Sequence, residues 1–207
     1  MSWANASYLT AVSAHFGEGV RTGKPTLRLA RQDEDLSMSS RAALRRYSTS
    51  WQAGCEDGKA LNASLGRGDG LHDGWAHDLD GAFVWSFTRD VVVWRGGDIP
   101  LGETGGLSFV STSLVERSAR KFRDRGGLWI SAIIVPAGIR VAIPSMVWSE
   151  GDDVRTLGVV KNEVEIVLPR RVVFLSEGRV RPFGESPDRR RVSLGCYRTS
   201  IPVRAAT

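Results

Sequence analysis

The chain has 207 residues, of which 42% are hydrophobic and 25% charged, and its formal net charge at pH 7 is +5. This composition is that of a globular chain able to bury a sizeable core, and it excludes a low-complexity sequence. No apolar run approaches the roughly 20 residues that cross a bilayer, so we expect a soluble protein without membrane insertion. The basic excess favours anionic ligands such as phosphates, nucleic acid or an acidic protein surface, with a solvated basic face as the alternative.

The length fits one domain over residues 1–207, mainly helical over 1–65, mainly β over 82–183 and with a basic tail over 184–207. The amino terminus lacks a basic leader followed by an apolar core, so we expect no secretory signal peptide. A cytoplasmic location follows, or delivery into a target cell by a route that is not visible in the sequence.

The first half of the chain predicts amphipathic helices. Apolar residues recur at helical spacing in two stretches, the second behind serines suited to capping, on faces formed by Leu9, Val12, Phe16, Leu44, Tyr47 and Trp51. A third short helix is predicted over GKALNASL, residues 58–65.

Residues 66–81 are dense in Gly and Asp, which predicts a long loop. His72 and His77 share this stretch with several aspartates, so a metal site is conceivable, but their scattered spacing favours ordinary loop residues. We therefore expect no metal.

The second half predicts strands. The β-rich runs, separated by Gly, Pro or charged turns, are VVVWR, LSFVS, GLWISAIIVP, IRVAIP, NEVEIVLP and RRVVFLS. Helices followed by strands favour an α+β fold over alternating βαβ units.

A pair of carboxylates opens the fifth of these runs. If EVEIVLP is a strand, Glu163 and Glu165 share one face, about 7 Å apart at roughly 3.3 Å of rise per residue. Like charges so close tend to raise one pKa, a cost that points to a functional role, but on this stretch alone a solvated edge strand is the favoured explanation.

Three segments in order, VWRG, FVSTS and EVEIVLP, resemble the signature of the mono-ADP-ribosyltransferases of the arginine–serine–glutamate group. The resemblance covers roughly residues 40–175, and LRRYS and ALNASLGR also look like helical landmarks of that family, although Arg67 falls one place later than the family's arginine. It implies a helical amino-terminal part followed by a β-sandwich-like core of two small mixed sheets.

The resemblance also implies NAD as co-substrate and a role for each matching residue. Glu165 would be the catalytic glutamate that stabilises the ribosyl cation as nicotinamide leaves. Glu163 would orient an acceptor guanidinium, which makes arginine the favoured acceptor. Arg95 would bind the phosphates, Gly96 would let its backbone approach the nicotinamide amide, and Ser111 would position Glu165.

The segment after the second motif would cover phosphate and nicotinamide, with Phe122 as a stacking aromatic and Arg125 as a second phosphate ligand. An amphipathic helix with a solvated basic end explains this segment almost as well. Ser113 has an independent explanation as the first residue of a capping box with Glu116.

Residues 146–161 would form the substrate-recognition turn, in which Val160 stands where some relatives carry an aromatic residue. Trp148 is either an interaction anchor in this turn or a core residue.

These observations favour a toxin or effector that modifies a target protein, for which a cognate immunity protein is a further candidate partner. The same chemistry on RNA or DNA is the first alternative, and a non-enzymatic basic nucleic-acid-binding module is the second.

Overall fold

The computed structural model describes residues 30–49, 58–96, 99, 106–116, 118–119, 129–148, 164–176, 181–185 and 191–200, the backbone alone for 181–185 and 191–194. The helix predicted from Leu9 to Phe16 lies outside these residues, as does Trp51. The assignment of the whole chain to one domain stays a prediction.

The helices of the described part are α1 (Met38–Ser48), α2 (Gly58–Arg67) and α3 (Asp73–Asp80). The Oγ of Ser37 caps α1 by accepting a 3.1 Å hydrogen bond from the backbone N–H of Ser40, as the serines predicted. Each helix buries an apolar face, and Leu44, Leu61 and Leu79 are fully buried.

Helix α3 corrects the prediction of a loop over residues 66–81. Trp75, Ala76 and Leu79 recur at helical spacing and are buried in the core. The neighbouring Gly and Asp residues obscure this short apolar face, so the loop prediction was wrong for Asp73–Asp80.

The strands form two sheets within the described residues. A three-stranded antiparallel sheet has the order β1-β2-β6, and a larger sheet has the order β7-β4-β3-β5-β10-β8, with β9 paired to β10. The strands are β1 (Ala30–Gln32), β2 (Trp85–Phe87), β3 (Val91–Gly96), β4 (Val110–Ser113), β5 (Trp129–Val135), β6 (Arg140–Val141), β7 (Glu165–Leu168), β8 (Val173–Ser176), β9 (Arg181–Glu185) and β10 (Arg191–Ser200). This arrangement confirms the α+β fold class.

The basic tail predicted over 184–207 contains a central strand instead. Strand β10 pairs in parallel with β5 and antiparallel with β8, and Cys196 and Tyr197 are buried. The clustered arginines of this segment obscure the β-forming residues Val192, Leu194 and Tyr197, which is why the strand Arg191–Ser200 was not predicted.

Strand β4 lies between the strands that carry the predicted arginine and glutamate. Ser113 of β4 is paired with Glu165 of β7 on one side and with Trp94 of β3 on the other. Behind β4, the rings of Phe83 and Phe109 stack in the core with centroids 5.7 Å apart. The register of three neighbouring strands thus brings the three signature segments together. No helix in the described residues is long and apolar enough to cross a bilayer.

Candidate active site

Arg95, Ser111 and Glu165 lie on adjacent strands at one end of the larger sheet. The Nη1 of Arg95 donates a 2.8 Å hydrogen bond to the backbone carbonyl of Ser111. Glu165 begins β7 directly opposite Ser113, two residues beyond Ser111 on the same face of β4. All three side chains are partly buried, so they border a surface from which water is only partly excluded.

Tyr47 of α1 reaches this cluster from the helical layer. Its hydroxyl lies 3.0 Å from the Oγ of Ser111, within hydrogen-bond distance. Burial, followed by the negative charge of Glu165, raises the pKa of Tyr47 to about 12, against smaller lowering effects from Ser111 and from the charge of Arg95. The phenol therefore stays protonated at neutral pH, and both Glu165 and Arg95 act electrostatically on it.

The position of the Tyr47 ring depends on close packing. Its edge meets the ring of Phe109, with centroids 6.1 Å apart and planes at 70°. A Cβ on Gly58, the first residue of α2, would lie 2.8 Å from Cε2 of Tyr47. Glycine at 58 thus allows α2 to begin directly against the ring.

Asn62 fixes the entry of the chain into β4. Its Nδ2 donates to the carbonyl of Phe109 and its Oδ1 accepts from the Phe109 N–H, both at 2.9 Å. A side-chain amide that satisfies both backbone groups of one residue acts as a substitute strand neighbour. Ser111 follows two residues later, so Asn62 helps to set its position.

Strand β7 begins at Glu165, and the extended strand predicted through EVEIVLP is wrong at Val164. Val164 is a turn residue with φ of +43°, a conformation that is strained for a β-branched residue. Its carbonyl accepts a 3.1 Å hydrogen bond from the Leu114 N–H, and its side chain packs against the core. Because Val164 is not extended, the alternation that would align Glu163 with Glu165 is interrupted between them.

Three of the predicted site residues, Glu163, Phe122 and Arg125, lie outside the described residues, and their roles stay predictions. Gly96 ends β3 beside Arg95 and pairs with Ile130 of β5. Its backbone therefore lies between that of Arg95 and the end of the strand.

Other residues singled out in the sequence have structural partners. The Oγ of Ser113 accepts a 2.9 Å hydrogen bond from the Val115 N–H, in line with a scaffold role. Arg67 pairs with Asp69 at 2.7 Å on the surface, and the pKa of Asp69 is lowered to about 2, first by its hydrogen bond from Ser64. Across the described ranges, no group of three or more His, Cys, Asp or Glu residues is arranged to hold a metal ion.

Trp148 was interpreted from the sequence either as an interaction anchor or as a core residue, and its surroundings have features of both. Its side chain is partly exposed yet packs against the core, and its indole N–H donates a 3.3 Å hydrogen bond to the Oγ of Ser48. It therefore joins the 3₁₀ turn Pro144–Met146 to the end of α1.

Sequence reasoning identified Tyr47 and Asn62 only as landmarks and assigned them no place in the site. The structure brings both against β4. Their spacing of fifteen positions, on separate helices, carries no periodic signal of a shared contact. The available signal was that each side chain carries a polar group next to buried apolar residues of its helix, Leu44 beside Tyr47 and Leu61 beside Asn62.

The arrangement offers a carboxylate, a guanidinium and a neutral phenol around one serine. A carboxylate in a partly buried setting stabilises a developing cation, and a guanidinium binds phosphate or carboxylate groups. Such groups suit a reaction that forms a cationic sugar from an anionic nucleotide.

No protein-family model and no curated protein sequence matches this chain. Solved structures do match. Plx2a, an ADP-ribosyltransferase toxin from Paenibacillus larvae, aligns with a TM-score of 0.56 and 15% identity over 80% of this chain and 87% of its own. Exoenzyme S from Pseudomonas aeruginosa was solved with human 14-3-3 protein beta and carba-NAD. It aligns with a TM-score of 0.51 and 18% identity over 94% of this chain and 88% of its own.

C3stau2 from S. aureus, solved with NAD, aligns with a TM-score of 0.51 and 15% identity over 80% of this chain and 88% of its own. At such identities the likeness concerns the fold and not the individual residues. The chain has the fold of the bacterial ADP-ribosyltransferase toxins.

Proposed function

We propose that this chain is an NAD-dependent mono-ADP-ribosyltransferase that releases nicotinamide and acts as a toxin or effector. The observation that carries the proposal is that Ser111 contacts both Tyr47 and Arg95, and that Glu165 lies opposite Ser113 on the neighbouring strand. These residues are separated by up to 118 positions, from Tyr47 to Glu165, and folding alone gives no reason for such polar groups to gather at one strand end.

The proposed reaction breaks the bond between the ribosyl carbon and the nicotinamide nitrogen, and the bonding electron pair leaves with nicotinamide. A new bond forms between that carbon and a nucleophilic atom of the acceptor, which loses a proton. Glu165 stabilises the positive charge that develops on the ribosyl group, and Arg95 binds the phosphates. Ser111 and Tyr47 keep the cluster in place.

The choice of NAD rests on the residue types and on the structural neighbours. A guanidinium at a strand end beside Gly96 suits a dinucleotide, because its planar donors match phosphate oxygens and glycine permits close approach of a ligand. Exoenzyme S was solved with carba-NAD and C3stau2 with NAD. Phe122 and Arg125 are the further residues that we assign to NAD binding, and no metal takes part.

For the acceptor we propose an arginine of a target protein. The support is that Glu163 carries a carboxylate, a group whose two oxygens match the two donors of a guanidinium fork. Exoenzyme S was solved with a protein partner, human 14-3-3 protein beta. Modification of RNA or DNA remains the alternative that the test below separates, and a cognate immunity protein would be a partner of the toxin.

The test is incubation of the purified chain with labelled NAD and a cell lysate. We expect nicotinamide release and a label that protease removes and nuclease does not; the reverse sensitivity would assign a nucleic-acid acceptor. Glu165→Gln should lower nicotinamide release by at least about 100-fold, since it removes the charge opposite the developing cation.

Glu34→Gln is the matched control for this substitution. Glu34 forms a surface ion pair with Arg140, in which both side chains are about half exposed (56% and 47%), and pairs of this kind contribute little to stability. A parent chain without nicotinamide release, or equal activity in Glu165→Gln and Glu34→Gln, would refute the proposed chemistry.

Glu163→Gln tests the acceptor separately. If Glu163 orients a guanidinium, this variant should lose transfer to agmatine, a small guanidino acceptor, while it keeps NAD hydrolysis. Equal loss of both activities would reject the assignment of arginine.

A further inference from the structure

Arg45 holds Val147 and Trp148, the last described residues before Glu163 in the sequence. Its Nε and Nη2 both donate to the carbonyl of Val147, at 2.9 and 2.7 Å. The same guanidinium lies over the ring of Trp148, with Cζ 5.1 Å from the ring centroid. One side chain therefore holds two consecutive residues, through the backbone of the first and the ring of the second.

The last turn of α1 completes this attachment. The indole N–H of Trp148 donates to Ser48 Oγ at 3.3 Å, and Ser48 Oγ in turn donates to the carbonyl of Arg45 at 3.0 Å. Ser48 is buried, with 7% of its surface exposed. We call Arg45, Ser48, Val147 and Trp148 the α1 clamp.

The α1 clamp and the candidate active site share one helical turn. Tyr47, which lies between Arg45 and Ser48 in sequence, contacts Ser111. At the other end of residues 149–163, the Val164 carbonyl is held by the N–H of Leu114, next to β4. The described residues on either side of this stretch, Trp148 and Val164, are thus each held near residues of the candidate active site.

From this geometry we infer that Arg45 is a positioning residue for acceptor transfer, acting through Val147 and Trp148. The inference rests on the proposed function. A guanidinium fork on one carbonyl sets both direction and distance, whereas a lysine ammonium would supply a single point charge. The fork therefore fixes Trp148, directly before residues 149–163 in the sequence, and its loss should impair transfer to the acceptor and not cleavage of NAD.

Arg46 provides a matched control on the same helix. Its guanidinium lies 4.0 Å from the ring centroid of Trp75, a residue of α3. It is thus also an arginine stacked on a tryptophan, but the tryptophan belongs to α3 and not to the segment before Glu163. Arg46→Lys is the same substitution at an arginine that also stacks on a tryptophan, and it leaves the fork of the α1 clamp in place.

The experiment compares Arg45→Lys, Arg46→Lys and the parent in two assays. The first follows nicotinamide release from NAD without acceptor, and the second follows label incorporated into lysate protein per nicotinamide released. We expect Arg45→Lys to lower the second quantity by about tenfold, the equivalent of about 1.4 kcal/mol, with the first unchanged. Arg46→Lys should change neither.

Amide hydrogen exchange supplies a readout that does not depend on activity. The Val147 N–H donates to the Pro144 carbonyl at 3.0 Å. The amide hydrogen of Val147 should exchange with solvent faster in Arg45→Lys than in the parent, and at the parental rate in Arg46→Lys. Trp148→Phe keeps a ring and removes the N–H donor to Ser48. Like Arg45→Lys, it should lower the label incorporated into lysate protein per nicotinamide released.

Equal loss of release and transfer in Arg45→Lys, or no loss of either, would overturn this inference while leaving the proposed function intact. Unchanged exchange at Val147 would overturn it as well. A parent chain that releases no nicotinamide would instead refute the proposed function, so the two failures are distinguishable.

Discussion

The substitution Tyr47→Phe tests the electrostatics of the candidate site without any assumption about the substrate. It removes the hydroxyl that contacts Ser111 and leaves the ring that packs against Phe109. At pH 7 we expect the free energy of unfolding to fall by about 1 kcal/mol, the usual net value of one hydrogen bond.

At alkaline pH the comparison should reverse. The pKa of Tyr47 is about 12 in the folded chain and 10.0 in its ordinary state. Between these values the unfolded chain has lost the phenolic proton and the folded chain has kept it, so stability falls as pH rises. For two pKa units, the full loss of the free energy of unfolding is about 2.7 kcal/mol. Tyr47→Phe lacks this loss, so the curves of stability against pH for the parent and the variant should cross near pH 11.

The assay is urea unfolding followed by tryptophan fluorescence at intervals from pH 7 to pH 12. Other ionising groups titrate in both proteins, so the difference between parent and variant isolates Tyr47. Ser111→Ala is the control, because it removes the contact but keeps the phenol and should retain the alkaline loss of stability. If the curves of unfolding free energy against pH stayed parallel for the parent and Tyr47→Phe up to pH 12, the raised pKa that we attribute to burial and to the charge of Glu165 would be refuted.

Two further substitutions test what holds the site in place. Asn62→Ala should destabilise the chain by about 2–4 kcal/mol, because both backbone groups of the buried Phe109 lose their partner; retention of parental stability would mean that those groups find other partners. Gly58→Ala should cost about 1–3 kcal/mol by pushing the Tyr47 ring aside. Gly66 lies in the same helix with open space around it, so Gly66→Ala should stabilise the chain by up to about 1 kcal/mol. If both substitutions changed the free energy of unfolding in urea in the same direction, the close packing of Gly58 against Tyr47 would be contradicted.

The sequence was sufficient to predict the fold class and the strands that carry the site. VVVWR and EVEIVLP are dense in β-branched residues, and the structure has strands in both, from Val91 to Gly96 and from Glu165 to Leu168. The prediction that Arg95, Ser111 and Glu165 approach one another came from resemblance, because strand order is a non-local property that periodicity does not encode.

Other features required the three-dimensional structure. The arginines around β10 dominate the composition of its segment, and its parallel pairing with β5 joins residues about 64 positions apart, as in Ser193 and Trp129. Contacts at such separations leave no local pattern in the sequence. The α1 clamp was invisible for the same reason, since Arg45 and Val147 are 102 positions apart.

The interruption at Val164 shows how local preference gives way to tertiary contacts at the site. A valine at φ of +43° costs about 1–3 kcal/mol of strain. The strain persists because the Leu114 N–H holds the carbonyl of Val164, the core holds its side chain, and Glu165 enters the ladder with β4 at the next residue. Val164→Gly would relieve the strain but also remove the side-chain packing that fixes the turn. The first position of β7 is thus determined by its neighbours in space, and it is the position that places Glu165 opposite Ser113, two residues after Ser111.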